Sequence, residues 1–408
     1  MTSAPAGQCL PAADNRIDIG RVELQPVAAP AGALGGDHRR AAAEKGVQHD
    51  LTAGGAVEDR VGDHRHRLYR RVQRQQIAFL AAAGEGIGRV NAQLIDADTG
   101  AHLWAERFDG DTSDLFALQN EITGRIAVAL NLELTAVEAA RPAERPDALD
   151  YMLRGRAELL KPASRTTFAE AISLFEHALA LDPRSVEAQS RLAAVLASRV
   201  LDIMTDSGKA DIERAKELSE QALTASPRSP LAHYVKGQVL RGQRRYVEAI
   251  PDYETALASD RNWVTALFAL GQCKLYAGSI DETIPLVERA IRLSPRDPSL
   301  AVWYWQIGLV HLLQSRTDNA IMWLEKARNA NPELSYVHAL LAAAYGLNGE
   351  TERAAAELAE ARRLSSEGNW PSIAGMRRGI GSWGVPKIRA LMEATYFTGL
   401  RMAGMPDE

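Results

Sequence analysis

The sequence predicts a mostly α protein: an α-solenoid of about six helix pairs, with a small α+β element, a hairpin plus a helix, ahead of it. The first observation behind this is a repeat. An alanine followed five positions later by, usually, proline recurs at Ala178/Pro183, Ala222/Pro227, Ala256/Arg261, Ala290/Pro295, Ala327/Pro332 and Ala361/Ser366. Three of the five intervals are 34 residues, and the others, 44 and 37, read as the same unit with 10 or 3 residues inserted. A fixed period in this range marks stacked helix pairs. The second observation is composition: 46% of the residues are apolar, many of them alanine, as close-packed helices require. A solenoid offers a long surface rather than a cleft, so the first expectation is a binding module.

The 408 residues suffice for two or three ordinary domains. A net charge of −5 with 24% charged residues argues for neither nucleic acid nor an anionic membrane as partner. Cys9 and Cys273 stand in unrelated contexts. A disulfide framework is therefore not expected, and a reducing cytoplasm fits. No apolar run is long enough for a membrane span, and the amino terminus lacks the pattern of a signal peptide.

Residues 1–87 stand apart. They carry His38, His49, His64 and His66, many Arg, Gly and Ala, and no sustained helical or strand period. They read either as disorder or as a stretch that is not native coding sequence, joined near Arg89 to the rest. Asp63-His64-Arg65-His66 has metal-ligand residue types, but the arginines repel a cation and no second ligand pair is visible.

Residues 88–137 form the next unit. Val90 to Ile95 is a strand candidate, Asp96-Ala97-Asp98-Thr99-Gly100 a turn, and Leu103 to Phe108 the returning strand. The Asp-x-Asp-x-Gly spelling resembles a calcium loop, but its twelfth position is Arg107, where a bidentate carboxylate is required. Asp111 or Thr112 can cap a helix whose apolar face is Leu115, Leu118, Ile122, Ile126, Ala129 and Leu130. Residues 138–147, with Pro142 and Pro146, read as a linker.

The repeats occupy 148–366. The first pairs Gly155 with Ala171, Phe175 and Ala178, with its turn lengthened near Lys161-Pro162. The second has Ala193, Ala215 and Ala222, with an insertion around Asp202 to Asp211. The third has Gly237, Ala249, Tyr253 and Ala256, and the fourth Gly271, Val287 and Ala290. The fifth has Gly308, Ala320, Leu324 and Ala327, and the sixth Ala342, Tyr345, Ala354, Leu358 and Ala361. Small residues in both helices let the axes approach, a large residue fills the gap to the neighbours, and proline helps end the second helix. Residues 367–408 are a capping segment. Its helix over 385–403, with Ile388, Leu391, Tyr396 and Leu400, is expected to close the stack.

Catalytic motifs do not emerge. Gly84-Glu85-Gly86-Ile87-Gly88 lacks the Lys-Ser/Thr helix of a phosphate loop. Ser, His and Asp show no nucleophile-elbow context. His177, His233, His311 and His338 are expected to be solvated or groove-facing, and Cys273 to pack on an apolar helix. No catalytic, cofactor or metal residue is assigned, and no enzyme activity is expected.

Residues 148–366 resemble tetratricopeptide repeats. The stretch "RVNAQLIDADTGAHLWAERFDGDTSDLFALQNEITGRIAVALN" resembles the end of the TolB-like region of bacterial proteins that join a class III adenylate/guanylate cyclase domain to such repeats. "ALDYMLRGRAEL", "QIGLVHLLQSRTDNAIMWLEKARNANPEL" and "IRALMEATYFTGLRMAGMPDE" are similar to that family too. Its members carry the cyclase domain, or at least the whole TolB-like region, before this point, where this chain has residues 1–87. Those residues hold no pattern of paired metal-binding aspartates, so cyclase activity is not carried over.

The resemblance implies that the first helix of each pair lines a concave face. Its register places Tyr234, Phe268, Tyr276, Trp305, Leu309, Leu312 and Tyr336 on that side, as a groove for a protein or peptide or as packing between helices. Gln238 and Gln272 stand where a carboxylate clamp would have Asn, and Tyr234 and Phe268 where it would have Lys. Two readings follow: a non-catalytic interaction scaffold related to cyclase signalling proteins, binding a partner or packing on its own TolB-like remnant, or a cyclase-family protein active in cyclic nucleotide signalling.

Overall fold

The computed structural model describes residues 75–84, 87–96, 102–111, scattered helical positions between 124 and 140, and residues 146–408 apart from 162, 366–371 and 381–382. The 63–66 cluster, the turn at 97–100, the start of the helix after Asp111 and most of the 138–147 linker lie outside the described residues.

Three strands form an antiparallel sheet in the order β1 (Gln75–Gly84), β2 (Ile87–Asp96), β3 (His102–Asp111). The expected hairpin is β2 with β3, in a register that pairs Val90 with Phe108 and Leu94 with Trp104 and then slips by one at Ile95. Such a bulge adds local twist. Strand β1 corrects the reading of residues 1–87 as without order up to their end. It pairs with β2 from Gln75/Asp96 to Gly84/Ile87. Its backbone is ordered by pairing with a neighbour, which needs no side-chain alternation of its own.

The described residues from 148 to 364 form six antiparallel helix pairs. They are α1 (Ala148–Glu158) with α2 (Arg165–Leu181), α3 (Val186–Leu201) with α4 (Gly208–Ala225), and α5 (Pro230–Gly242) with α6 (Tyr246–Ser259). Then come α7 (Val264–Tyr276) with α8 (Thr283–Leu293), α9 (Leu300–Leu313) with α10 (Thr317–Ala330), and α11 (Ser335–Leu347) with α12 (Thr351–Leu364). The second pair holds the large insertion, and its long connection is stapled by one carboxylate. Asp211, 5% exposed, accepts from Arg199 Nε at 2.8 Å and from Thr205 Oγ1 at 2.6 Å. Burial alone would raise the Asp211 pKa, but these bonds hold it below its ordinary value.

Serines start several helices. The side chains of Ser164, Ser185 and Ser229 accept from the backbone N–H three residues on, and Asp147 forms a reciprocal capping box with Asp150. Within the pairs, a glycine of the first helix lies under a large residue of the second. A Cβ on Gly155 would come within 2.6 Å of the Phe175 ring, one on Gly237 within 2.9 Å of Tyr253, and one on Gly308 within 2.6 Å of Leu324.

The turns inside the pairs share one closure. In pairs three to six a residue with positive φ follows the first helix: Arg244 at 61°, Gly278 at 95°, Ser315 at 56° and Gly349 at 79°. Each turn repeats the same two backbone bonds, as in Ser315 N–H to Leu312 O and Arg316 N–H to His311 O. The links between pairs are four residues long at 182–185, 226–229, 260–263 and 331–334, but six at 294–299.

The final segment folds as α13 (Ile373–Ile380), α14 (Pro386–Met392), a π turn at Glu393–Phe397 and α15 (Thr398–Met402). It does not sit as the next helix in line after α12. It lies instead along the first helices of the last pairs, with α15 packed on α11 and the π turn on α9 and α11. Ile388, Met392, Tyr396, Phe397, Leu400 and Met405 share one core cluster with Leu309, Leu312, Ala343 and Tyr276.

Candidate partner-binding face

The nine residues assigned to the inner face separate into two groups. Tyr276, Leu309 and Leu312 are buried, in the cluster that includes the C-terminal helices. Tyr234 and Gln238 are buried as well. Gln238 donates to Tyr234 Oη at 2.8 Å and accepts from Tyr253 Oη at 2.7 Å, and the Tyr234 ring stacks on Trp263 with centroids 4.6 Å apart. Those two residues join helices rather than face a partner.

Phe268, Gln272, Trp305 and Tyr336 remain half-buried. Trp305 and Tyr336 meet edge-to-face at 5.3 Å, an arrangement aromatic rings favour. The indole N–H of Trp305 is buried and has no hydrogen-bond partner among the described residues. The Phe268 ring lies 6.0 Å from the guanidinium carbon of Arg241.

Sequence reasoning missed Arg241 and Asp202. Arg241 is 8% exposed, with Nε and Nη1 unpaired among the described residues. Asp202 follows α3 in the inserted connection. It is open to solvent yet walled by protein, which pushes its carboxyl up to about 6, opposed by the field of Arg241. The same carboxylate acts electrostatically on Tyr336. The signal was present: an acid in the insertion and an arginine on the apolar first helix of the next pair.

The helix before the repeats also packs on the solenoid. A Cβ on Gly124 would meet Asn262 and Leu293, Val128 packs on the cluster of Val264, Leu267 and Trp303, and Asn131 accepts from Arg156 Nη2 at 2.9 Å.

Two of the four histidines depart from expectation. His338 is 4% exposed, and its nitrogens face Glu357 and the Pro332 carbonyl. His233 repeats this with Asp252 and the Pro227 carbonyl. These two are clamps between helices, neither solvated nor facing the groove. His311 is buried, which lowers its pKa with help from Arg316. His177 is exposed and stacks on Tyr151 at 5.2 Å. Burial pushes the Cys273 thiol up to about 12, so it stays a packing residue at neutral pH. Among the described residues, no group of His, Cys, Asp and Glu is placed to hold a metal ion, and no helix is long and apolar enough to cross a membrane.

Stacked helix pairs with glycine-backed aromatic packing define an α-solenoid of the tetratricopeptide-like kind. The family model described as "Tetratricopeptide repeat" matches residues 208–263 and 240–298. Over 165 residues the chain is 33% identical to "Putative adenylate cyclase 3" of Rhizobium meliloti (strain 1021), covering 40% of this chain and 28% of that protein. Over 122 residues it is 30% identical to the "Cell division cycle protein 27 homolog" of Caenorhabditis elegans, covering 30% of this chain and 15% of that one. The chain thus spans under a third of either relative. Among solved structures, it is similar to pilF of Pseudomonas aeruginosa, at 19% identity and a TM-score of 0.40, covering 53% of this chain and 91% of that one. It is also similar to YrrB, described as "a TPR protein with an unusual peptide-binding site", at 24% identity and a TM-score of 0.30, covering 46% of this chain and 87% of that one.

Proposed function

We propose that this chain is a non-catalytic, cytoplasmic scaffold that holds a protein or peptide partner on the inner face of its repeats, within the signalling context of bacterial cyclase proteins. The observation that carries the reading is the half-buried Trp305–Tyr336 pair, with an indole N–H that has no partner among the described residues. Large aromatic rings with an unused donor are the usual anchors of a protein interface. The tie to cyclase signalling draws on the rhizobial relative and on the resemblance of residues 89–131.

The test is capture from lysate of a rhizobial bacterium by wild type and by Trp305→Ala, both carrying the same tag. A partner retained by wild type and lost by the variant supports the scaffold. Equal capture by both, or none by either, sinks it.

A second reading, a cyclase-family protein acting in cyclic nucleotide signalling, is favoured by the name of that same relative. Formation of cyclic AMP from ATP by the purified chain with Mg or Mn would replace the first reading with this one.

A further inference from the structure

The seat of the C-terminal helices has a specificity that closing a stack does not require. A helix that merely continued the solenoid would cover the exposed side of α12. Here α15 crosses α11 so closely that a Cβ on Gly399 would overlap the carbonyl of Ala343, and a Cβ on Gly346 would overlap the carbonyl of Gly399. Two glycines on facing helices let backbone meet backbone, and no larger residue fits at either position.

The helix is anchored as a ligand is. Ile388, Met392, Tyr396 and Leu400, each four residues from the last, present one face, and all are 4% exposed or less. Trp383 adds an edge contact to Tyr276 at 5.6 Å. Polar ties to the repeats are sparse. Among the described residues, Val385 N–H donates to Tyr276 O at 2.9 Å, and no ion pair joins the segment 383–408 to the six pairs. Its ion pairs, Arg377–Glu393 and Arg401–Asp407, are internal to the segment 373–408. Shape and apolar burial therefore hold this helix in a groove built from the first helices of pairs four to six, which is the helix-in-groove mode of recognition.

We propose that the inner face of pairs four to six is a helix-binding site whose resident occupant is the chain's own C-terminal segment. The external partner is an amphipathic helix with a glycine at the crossing point and apolar residues at the positions of Met392, Tyr396 and Leu400, and it takes the seat by displacing that segment. This rests on the scaffold reading and specifies its partner.

The probe is a fluorescent synthetic peptide of residues 383–408, added to the full chain. Wild type, with the seat filled, should bind it at least tenfold more weakly than Gly399→Leu, whose own helix no longer fits. The same peptide carrying Gly399→Leu should bind neither. Equal binding to wild type and variant, or no binding to a variant that keeps its helical circular dichroism, overturns the proposal. Should Gly399→Leu fail to fold, hydrogen exchange on wild type decides. Amides of 386–402 must lose protection at least tenfold sooner than those of α9 and α11, and exchange of all three in step would make the segment ordinary core. Peptide binding without any lysate partner leaves the site standing and removes the scaffold reading; lysate capture without peptide binding does the reverse.

Discussion

His338 Nδ1 lies 2.6 Å from Glu357 Oε2 across the sixth pair, while its Nε2 lies 2.8 Å from the carbonyl oxygen of Pro332. Both neighbours are acceptors, so the ring serves best with a proton on each nitrogen. The hydrogen bond to Glu357 raises the pKa of His338 above its ordinary 6.5, with burial opposing and the Pro332 carbonyl assisting. Burial would raise Glu357, but its bonds to His338 and Arg328 hold it below 4.5.

A pH dependence follows from the sign of these shifts. A raised histidine contributes stability that is fully present below pH 6.5 and is lost as pH rises through the folded value. The lowered carboxylate contributes above 4.5 and loses its part only as pH falls through its folded value. His338→Gln should therefore cost most below pH 6.5, about 2 kcal/mol for a charge-assisted bond, and progressively less as pH rises through the folded value. Denaturant unfolding of both proteins across that range measures it, and a difference that grows with pH would contradict the protonated clamp.

Ala249 is fully buried in α6, where two helices meet. Ala249→Leu forces extra atoms into that contact and should cost roughly 1–3 kcal/mol. Thermal unfolding followed by circular dichroism reports it, and an unchanged midpoint would mean the repeat register is misassigned.

Ser315 adopts φ 56° at the turn position that Gly278 and Gly349 fill in pairs four and six. A left-handed backbone strains a residue with a Cβ, though glycine gives back part of the gain through the freedom of its unfolded chain. Ser315→Gly should stabilise the fifth pair by about 0.5–1 kcal/mol. A lower melting temperature for the variant would show that the serine side chain matters more than its backbone angle.

Trp305→Ala should weaken binding of an inner-face partner by roughly 2 kcal/mol or more while the helical signal persists, because the ring is half-buried and not part of the deepest packing. Calorimetry against a captured partner measures the first and circular dichroism the second. Loss of the fold would assign Trp305 to the core instead.

The six pairs were legible because their determinants are local and periodic: Gly237, Gly271 and Gly308 are each answered by a large or branched residue 16 positions on, and Gly155 by Phe175 at 20, across its lengthened turn. The hairpin was legible from turn chemistry, whereas β1 was not, since its order comes from β2. The helix over 385–403 was visible as an apolar face, but its seat was not, because nothing local says which surface an amphipathic helix will cover. Gly346 and Gly399, each inside an apolar stretch of sequence, were the available hint. Of the inner-face residues, Tyr276, Leu309 and Leu312 share their core cluster with the helices in that seat. The clamp was hidden by distance, although His233/Asp252 and His338/Glu357 share one spacing of 19 residues.

The six-residue link at 294–299 is the longest joint between neighbouring pairs, and the C-terminal helices run across it, from Tyr276 before the joint to Gly346 beyond it. They act as a splint. In a stack where each pair otherwise leans only on its neighbours, the joint with the most slack takes up most of the bending. Whatever lies in the seat therefore bridges the first four pairs and the last two, and holds the joint between them.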